Sequence, residues 1–97
     1  MKKQRTRVLE FLRTNLAIDG VDAWEQLHIM HLPSPIRELR KRGVRIQSDR
    51  VSQKGKNEAG EEIEILHFTR YWLESTDADL EKLGLLDPTS GRVIDGS

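Results

Sequence analysis

No cysteine occurs among the 97 residues, which excludes disulfide frameworks, thiol nucleophiles and cysteine-ligated zinc. Aromatics are scarce, at two Trp, two Phe and one Tyr. They do not interleave with the basic residues as an RNA-binding surface built on base stacking requires. Long apolar runs are missing as well. The longest, such as Leu16-Ala17-Ile18 and Tyr71-Trp72-Leu73, fall far short of the roughly 20 residues that span a bilayer, so no membrane partner is expected. The basic opening Met1-Lys2-Lys3-Gln4-Arg5 has no apolar stretch to act as a secretory signal, and the expected compartment is the cytoplasm. A glycine-rich phosphate cradle, a Ser/His/Asp arrangement and a cofactor motif are all absent. His28-x-x-His31 has ligand-like spacing, but a metal needs three or four ligands. Glu61, Glu62 and Glu64 make no acid pair, because alternate strand residues face opposite sides. The expectation is a protein without enzymatic activity, cofactor, metal or small-molecule substrate.

The chain, at 11.2 kDa, has room for one domain. Apolar residues make up 36%, charged residues 33%, and the mean hydropathy is -0.61. That is a lean core under a charged surface, but the regular recurrence of Leu, Ile and Val is not that of a disordered chain. The net charge of zero conceals a polarity. Residues 1–56 hold 13 Lys and Arg against 6 Asp and Glu, whereas residues 57–97 hold 3 against 10. The first part suits a polyanion, and the second tunes that attraction or meets another surface.

Val8, Phe11 and Leu12, widened by Leu9, make one apolar stripe and predict a helix over 4–14, with Ile18 turned inward beyond it. Asp19 as N-cap, with Asp22 three residues later, starts a second helix that ends near Leu27 or His28. Leu32, Ile36 and Leu39 are spaced i, i+4, i+7 and predict a third helix over 33–42. Pro33 and Pro35 fit its first turn, where N–H groups have no helical partner, and Gly43 stops it. Val44-Arg45-Ile46-Gln47-Ser48 alternates as a strand does. Ser52 to Gly60 reads as a flexible basic hairpin loop, and Glu62 to Leu73 as the returning strand. Thr76 caps a short helix carrying Leu80 and Leu83, and beyond Asp87-Pro88 a mobile tail is expected.

Three helices followed by a hairpin is the layout of an α+β winged helix-turn-helix with a two- or three-stranded wing. It divides the chain into a domain over 1–73 and an acidic C-terminal extension over 74–97. Such a layout suits double-stranded DNA, whose major groove admits one α-helix propped by another. With Leu32, Ile36 and Leu39 inward, Ser34, Arg37, Glu38, Arg40 and Lys41 point outward. Ser34, Arg37 and Lys41 share one edge, where arginine can pair with both guanine acceptors and serine with bases or phosphates. His31 stands at the entry to that helix. Lys54 and Lys56 of the loop, flanked by Arg50, reach toward the neighbouring backbone or minor groove, and Lys2, Lys3, Arg5 and Arg7 toward phosphates. Arg40-Lys41-Arg42 has an ordinary reading too, as a solvated helix end that suits the dipole.

The stretch from Ala23 through Leu27, Ile29, Leu32, Ile36, Leu39, Arg40 and Gly43 to Ile46, with Tyr71-Trp72-Leu73 in the far strand, resembles a family of small helix-turn-helix proteins of bacteriophages and prophages. The family pattern reads Ala-x-x-x-Leu-Gly-Ile-x-Arg-Leu-Ser-x-Arg-Ile-x-Asp-Leu-Arg-x-x-Gly-x-x-Ile. Departures fall at His28 for the turn glycine, His31 for an arginine, and Pro33 and Pro35 for a serine and an arginine. The resemblance implies a sequence-specific DNA-binding protein of a mobile element, a transcriptional regulator in the bacterial host cytoplasm at the nucleoid. Two further contacts complete the expectation. Trp24, on the outer side of the second helix, and the leucine-bearing C-terminal helix with Leu80 and Leu83 are candidates for homodimer or protein contact. The alternative reading is a protein-interaction module that acts on a host or phage protein through the acidic C-terminal part.

Overall fold

A computed structural model describes residues 2–94, and residues 65–67 by their backbone alone. The first element, α1 (Gln4–Thr14), buries Thr6, Val8, Leu9 and Leu12 along one face, as the apolar spacing predicts. Its last turn is closed by Asn15 Nδ2 donating to the Phe11 carbonyl at 3.0 Å. Ile18 follows, fully buried, and exchanges two 2.8 Å backbone bonds with Tyr71.

The second helix, α2 (Gly20–Leu27), begins with a reciprocal cap. Asp19 Oδ1 accepts from Asp22 N at 2.8 Å, and Asp22 Oδ2 accepts from Asp19 N at 3.2 Å. The helix ends at His28, whose φ of 56° makes it the one non-glycine residue with positive φ among those described. This is the position where the resembled pattern carries glycine, and the left-handed backbone explains that preference. The chain then enters α3 (Pro33–Lys41), where Pro33 and Pro35 occupy the first turn and Pro35, Ile36 and Leu39 are buried. Gly43, at φ 97°, reverses the chain. A Cβ added there would lie 2.9 Å from Leu83 Cδ2.

The hairpin pairs β1 (Ile46–Lys56) with β2 (Glu62–Leu73) in antiparallel register from Ile46 opposite Leu73 to Lys56 opposite Glu62. The Ile18–Tyr71 bridge adds a third, one-rung strand to this α+β fold. The register shifts between Gln53 and Lys54, leaving β2 one residue longer. Residues 52–60, expected as a loop, are therefore mostly strand. The turn is confined to 57–61, where Asn57 N donates to Glu61 O and Glu61 N to Asn57 Oδ1. The reason is that a two-stranded ribbon wetted on both faces needs no apolar alternation, because the main-chain ladder pairs its strands whatever the side chains are. The ribbon accounts for the elongated shape, 59 × 25 × 21 Å.

The last helix, α4 (Asp77–Lys82), carries a second reciprocal cap between Thr76 and Asp79. Leu80 is fully buried, and Leu85 and Leu86 join the same core as α1, α2 and α3. Over its described part, the segment expected as a mobile tail carries a hydrogen-bonded turn. Asp87 N donates to Arg92 O, Gly91 N to Asp87 O, and Ile94 N to Leu85 O, while Leu86 bridges Val93. Arg13 fastens this turn to α1, donating to Gly91 O at 3.1 Å and gripping Asp77 through two 3.2 Å bonds. A polar sequence with scattered Gly and Pro reads as a tail, but its backbone groups find partners within the turn. Residues 95–97 of the expected tail lie outside the described residues.

Candidate nucleic-acid interface

The outer face of α3 is fixed by what its inner face buries. With Pro35, Ile36 and Leu39 in the core, Ser34, Arg37, Glu38 and Lys41 project into solvent. Arg37 and Lys41 take part in no ion pair or side-chain hydrogen bond among the described residues. His31, in the turn before the helix, is exposed too. The described part of the acidic C-terminal segment does not cover this face; its ion pair is with Arg13 on α1.

Three of the expected contact residues have partners or burial of their own within the fold. Arg40 is exposed, yet its guanidinium also donates to the Ile46 carbonyl at 2.8 and 3.2 Å and lies 5.8 Å from the centre of the Tyr71 ring. It is a strut between α3 and the sheet, because position 40 follows the buried Leu39 and lies next to the β1 entry. Arg5 turns inward, with a side chain 11% exposed, and meets Glu38 of α3 at 3.3 Å. It therefore neutralises the one carboxylate on the outer face of α3. Leu80 is wholly internal and takes no part in an interface of the folded chain, whereas Leu83 remains half open. Sequence spacing marks the apolar side of α4 but does not say whether that side meets its own domain or another.

The remaining basic residues divide into two groups. Lys2 precedes α1, Lys3 is its N-cap, and Arg7 lies on its first turn. Lys2 is held by Glu10 at 2.8 and 3.1 Å, Lys3 is exposed, and Arg7 is half-buried. On the hairpin, Arg50 stands opposite Thr69, Lys54 opposite Glu64 and Lys56 opposite Glu62, with Lys54 Nζ 4.0 Å from Glu62. All three cations are exposed.

Sequence reasoning missed several exposed groups near α3. Arg42, at its C-terminus, and Arg45, between buried Val44 and Ile46, both face solvent. The signal for Arg45 was its place in a period-two alternation. Trp24 is 53% exposed, as expected for the outer side of α2, with Val21 on the same helix and Met30 beyond it also open. The Trp24 and His28 rings meet edge to face at 6.0 Å. No third ligand joins His28 and His31: among the described residues no group of three metal-ligating side chains is placed to hold an ion. No described helix is long and apolar enough to cross a membrane.

Two carboxylates report on local structure. Asp79 is held below its ordinary value by bonds from the Thr76 backbone and side chain, and Asp87 by the Thr89 backbone N–H and the Ser90 hydroxyl.

A family model described as a winged helix-turn-helix domain matches residues 3–73, well over half of the chain. No curated protein and no solved structure matches it.

Proposed function

The chain belongs to the winged helix-turn-helix domain family, and from that premise we propose that it binds double-stranded DNA with α3 in the major groove. One observation carries the reading: Arg37 and Lys41 stand exposed, and unpaired among the described residues, on a helix whose opposite face is locked into the core. Ser34 and His31, at the N-terminal end of α3, approach base edges. Arg37 supplies a fork for guanine, and Lys41 reaches a base or a phosphate. Lys3, Arg7 and Lys2 lie along the backbone beside α1, and the wing meets the backbone on the other flank. Neutralisation of Glu38 by Arg5 removes a repulsion that would otherwise face the phosphates.

The finer parts of the reading have separate supports. A bacteriophage or prophage setting, a role in transcription and action at the host nucleoid rest on the resemblance of residues 23–46 and 70–73. The exposed Val21 and Trp24 favour a second reading, contact with a protein partner or a second copy through α2 and Leu83. A gel-shift assay with random duplex DNA at low salt separates the two. The first reading predicts binding by the wild type and a loss of about tenfold or more in R37A/K41A with the fold intact. No binding, or equal binding by both proteins, counts against it.

A further inference from the structure

The wing carries a row of cations on one face of β1 at Arg50, Lys54 and Lys56, all of even number and so on the same side of the strand. Antiparallel pairing puts the residue opposite each of them on that same face. Arg50 meets Thr69, but Lys54 meets Glu64 and Lys56 meets Glu62. The register shift produces this pairing. Were the pairing of Gln53 with Leu66 continued without a shift, residues 65 and 63 would oppose the two lysines. The one extra residue in β2 moves both glutamates onto the lysine face instead. Glu58 and Glu61 of the exposed turn add two more negative charges.

We infer that Glu62 and Glu64 hold the outer half of the wing off the duplex, so that the wing touches DNA at Arg50 and not at Lys54 or Lys56. This deepens the DNA-binding reading and rests on it. The chemistry is local charge cancellation: a phosphate approaching either lysine meets a carboxylate on the neighbouring strand at comparable distance. The polyelectrolyte gain from neutralising a phosphate then disappears. The outer wing limits affinity for duplex DNA of any sequence, leaving the footprint to α3, α1 and the inner wing.

The test measures affinity for a random duplex against salt concentration by fluorescence anisotropy. It uses the full chain, with thermal melting to confirm that each variant folds. In E62Q/E64Q the lysines are released. Binding should tighten at low salt, the slope of log affinity against log salt should steepen by about 2, and the affinity ratio to wild type should change roughly tenfold between about 50 and 200 mM salt. The control E74Q/E81Q changes the net charge equally outside the outer wing and should leave the slope within about half a unit. In the wild-type background K54A/K56A should bind within twofold, whereas R50A should flatten the slope by about 1. The inference is overturned if K54A/K56A flattens the slope by about 2, or if E62Q/E64Q behaves as its control does. Failure of the underlying reading looks different: neither the wild type nor E62Q/E64Q binds at low salt, or R37A/K41A binds as the wild type does, and the inference falls with it.

Discussion

Arg37 and Arg40 leave the same helix three residues apart, yet the structure gives them opposite work. Arg37 ends in solvent with no partner among the described residues, while Arg40 closes on the Ile46 carbonyl beside the Tyr71 ring. R40A should therefore lower stability by about 1–2 kcal/mol, read from urea unfolding, since it removes a charge-assisted bond and a ring contact. Arg40→Lys should not restore it, because a single ammonium cannot reproduce the two-pronged contact. R37A should leave the urea midpoint unchanged. Gly43 is a second residue whose role is local. Its φ of 97° and the 2.9 Å approach of Leu83 to an added Cβ predict that Gly43→Ala costs about 1–2 kcal/mol, again by urea unfolding.

At the scale of elements, the helices and the returning strand Glu62–Leu73 were legible, and the outer half of β1 was not. The spacing of Val8, Leu9 and Leu12, the Asp19 cap and the Leu32, Ile36 and Leu39 stripe mark α1, α2 and α3 within a residue or so, because each buries one face against the same core. The outer part of β1 has no such face: Ser52, Gln53, Lys54 and Lys56 are all exposed, so hydrophobic periodicity says nothing about their pairing. The site was legible to the same degree. Arg37 and Lys41 follow from helical geometry once the buried face is known. The inward turn of Arg5 and the bonding of exposed Arg40 depend on Glu38 and Ile46, which sequence spacing does not place beside them.

The short helix α4 adds a pH-dependent element. Asp79, held below its ordinary value by its bonds to Thr76, favours the folded chain while ionised. A carboxylate with a depressed folded-state value contributes stability above its unfolded value and loses it as pH falls through the folded one. The urea midpoint should therefore fall on acidification below about pH 4, and D79N should flatten that part of the profile.

The molecule as a whole does not divide where the family match ends. Residues 3–73 are matched, but Leu80, Leu85 and Leu86 lie in the same core as Val8, Ile36 and Leu39. Three buried leucines at about 1.5–3 kcal/mol each are comparable with the entire stability of a chain this size. A protein truncated to residues 1–73 should show no cooperative urea transition, and L80A alone should cost about 2–5 kcal/mol. A stable 1–73 fragment would mean that the C-terminal residues merely decorate a self-sufficient fold. The acidic segment thus keeps the basic face in place from behind, through the core and the Arg13–Asp77 pair, instead of covering it.

The docking of α3 is tested most directly by the salt dependence of duplex binding in the wild type and in R37A/K41A. About five neutralised phosphates predict a wild-type slope of log affinity against log salt near -4 to -5, and the double variant should flatten it by about 1–2 while melting at the wild-type temperature. A slope near zero, or one that the two substitutions leave unchanged, would contradict groove docking by this helix.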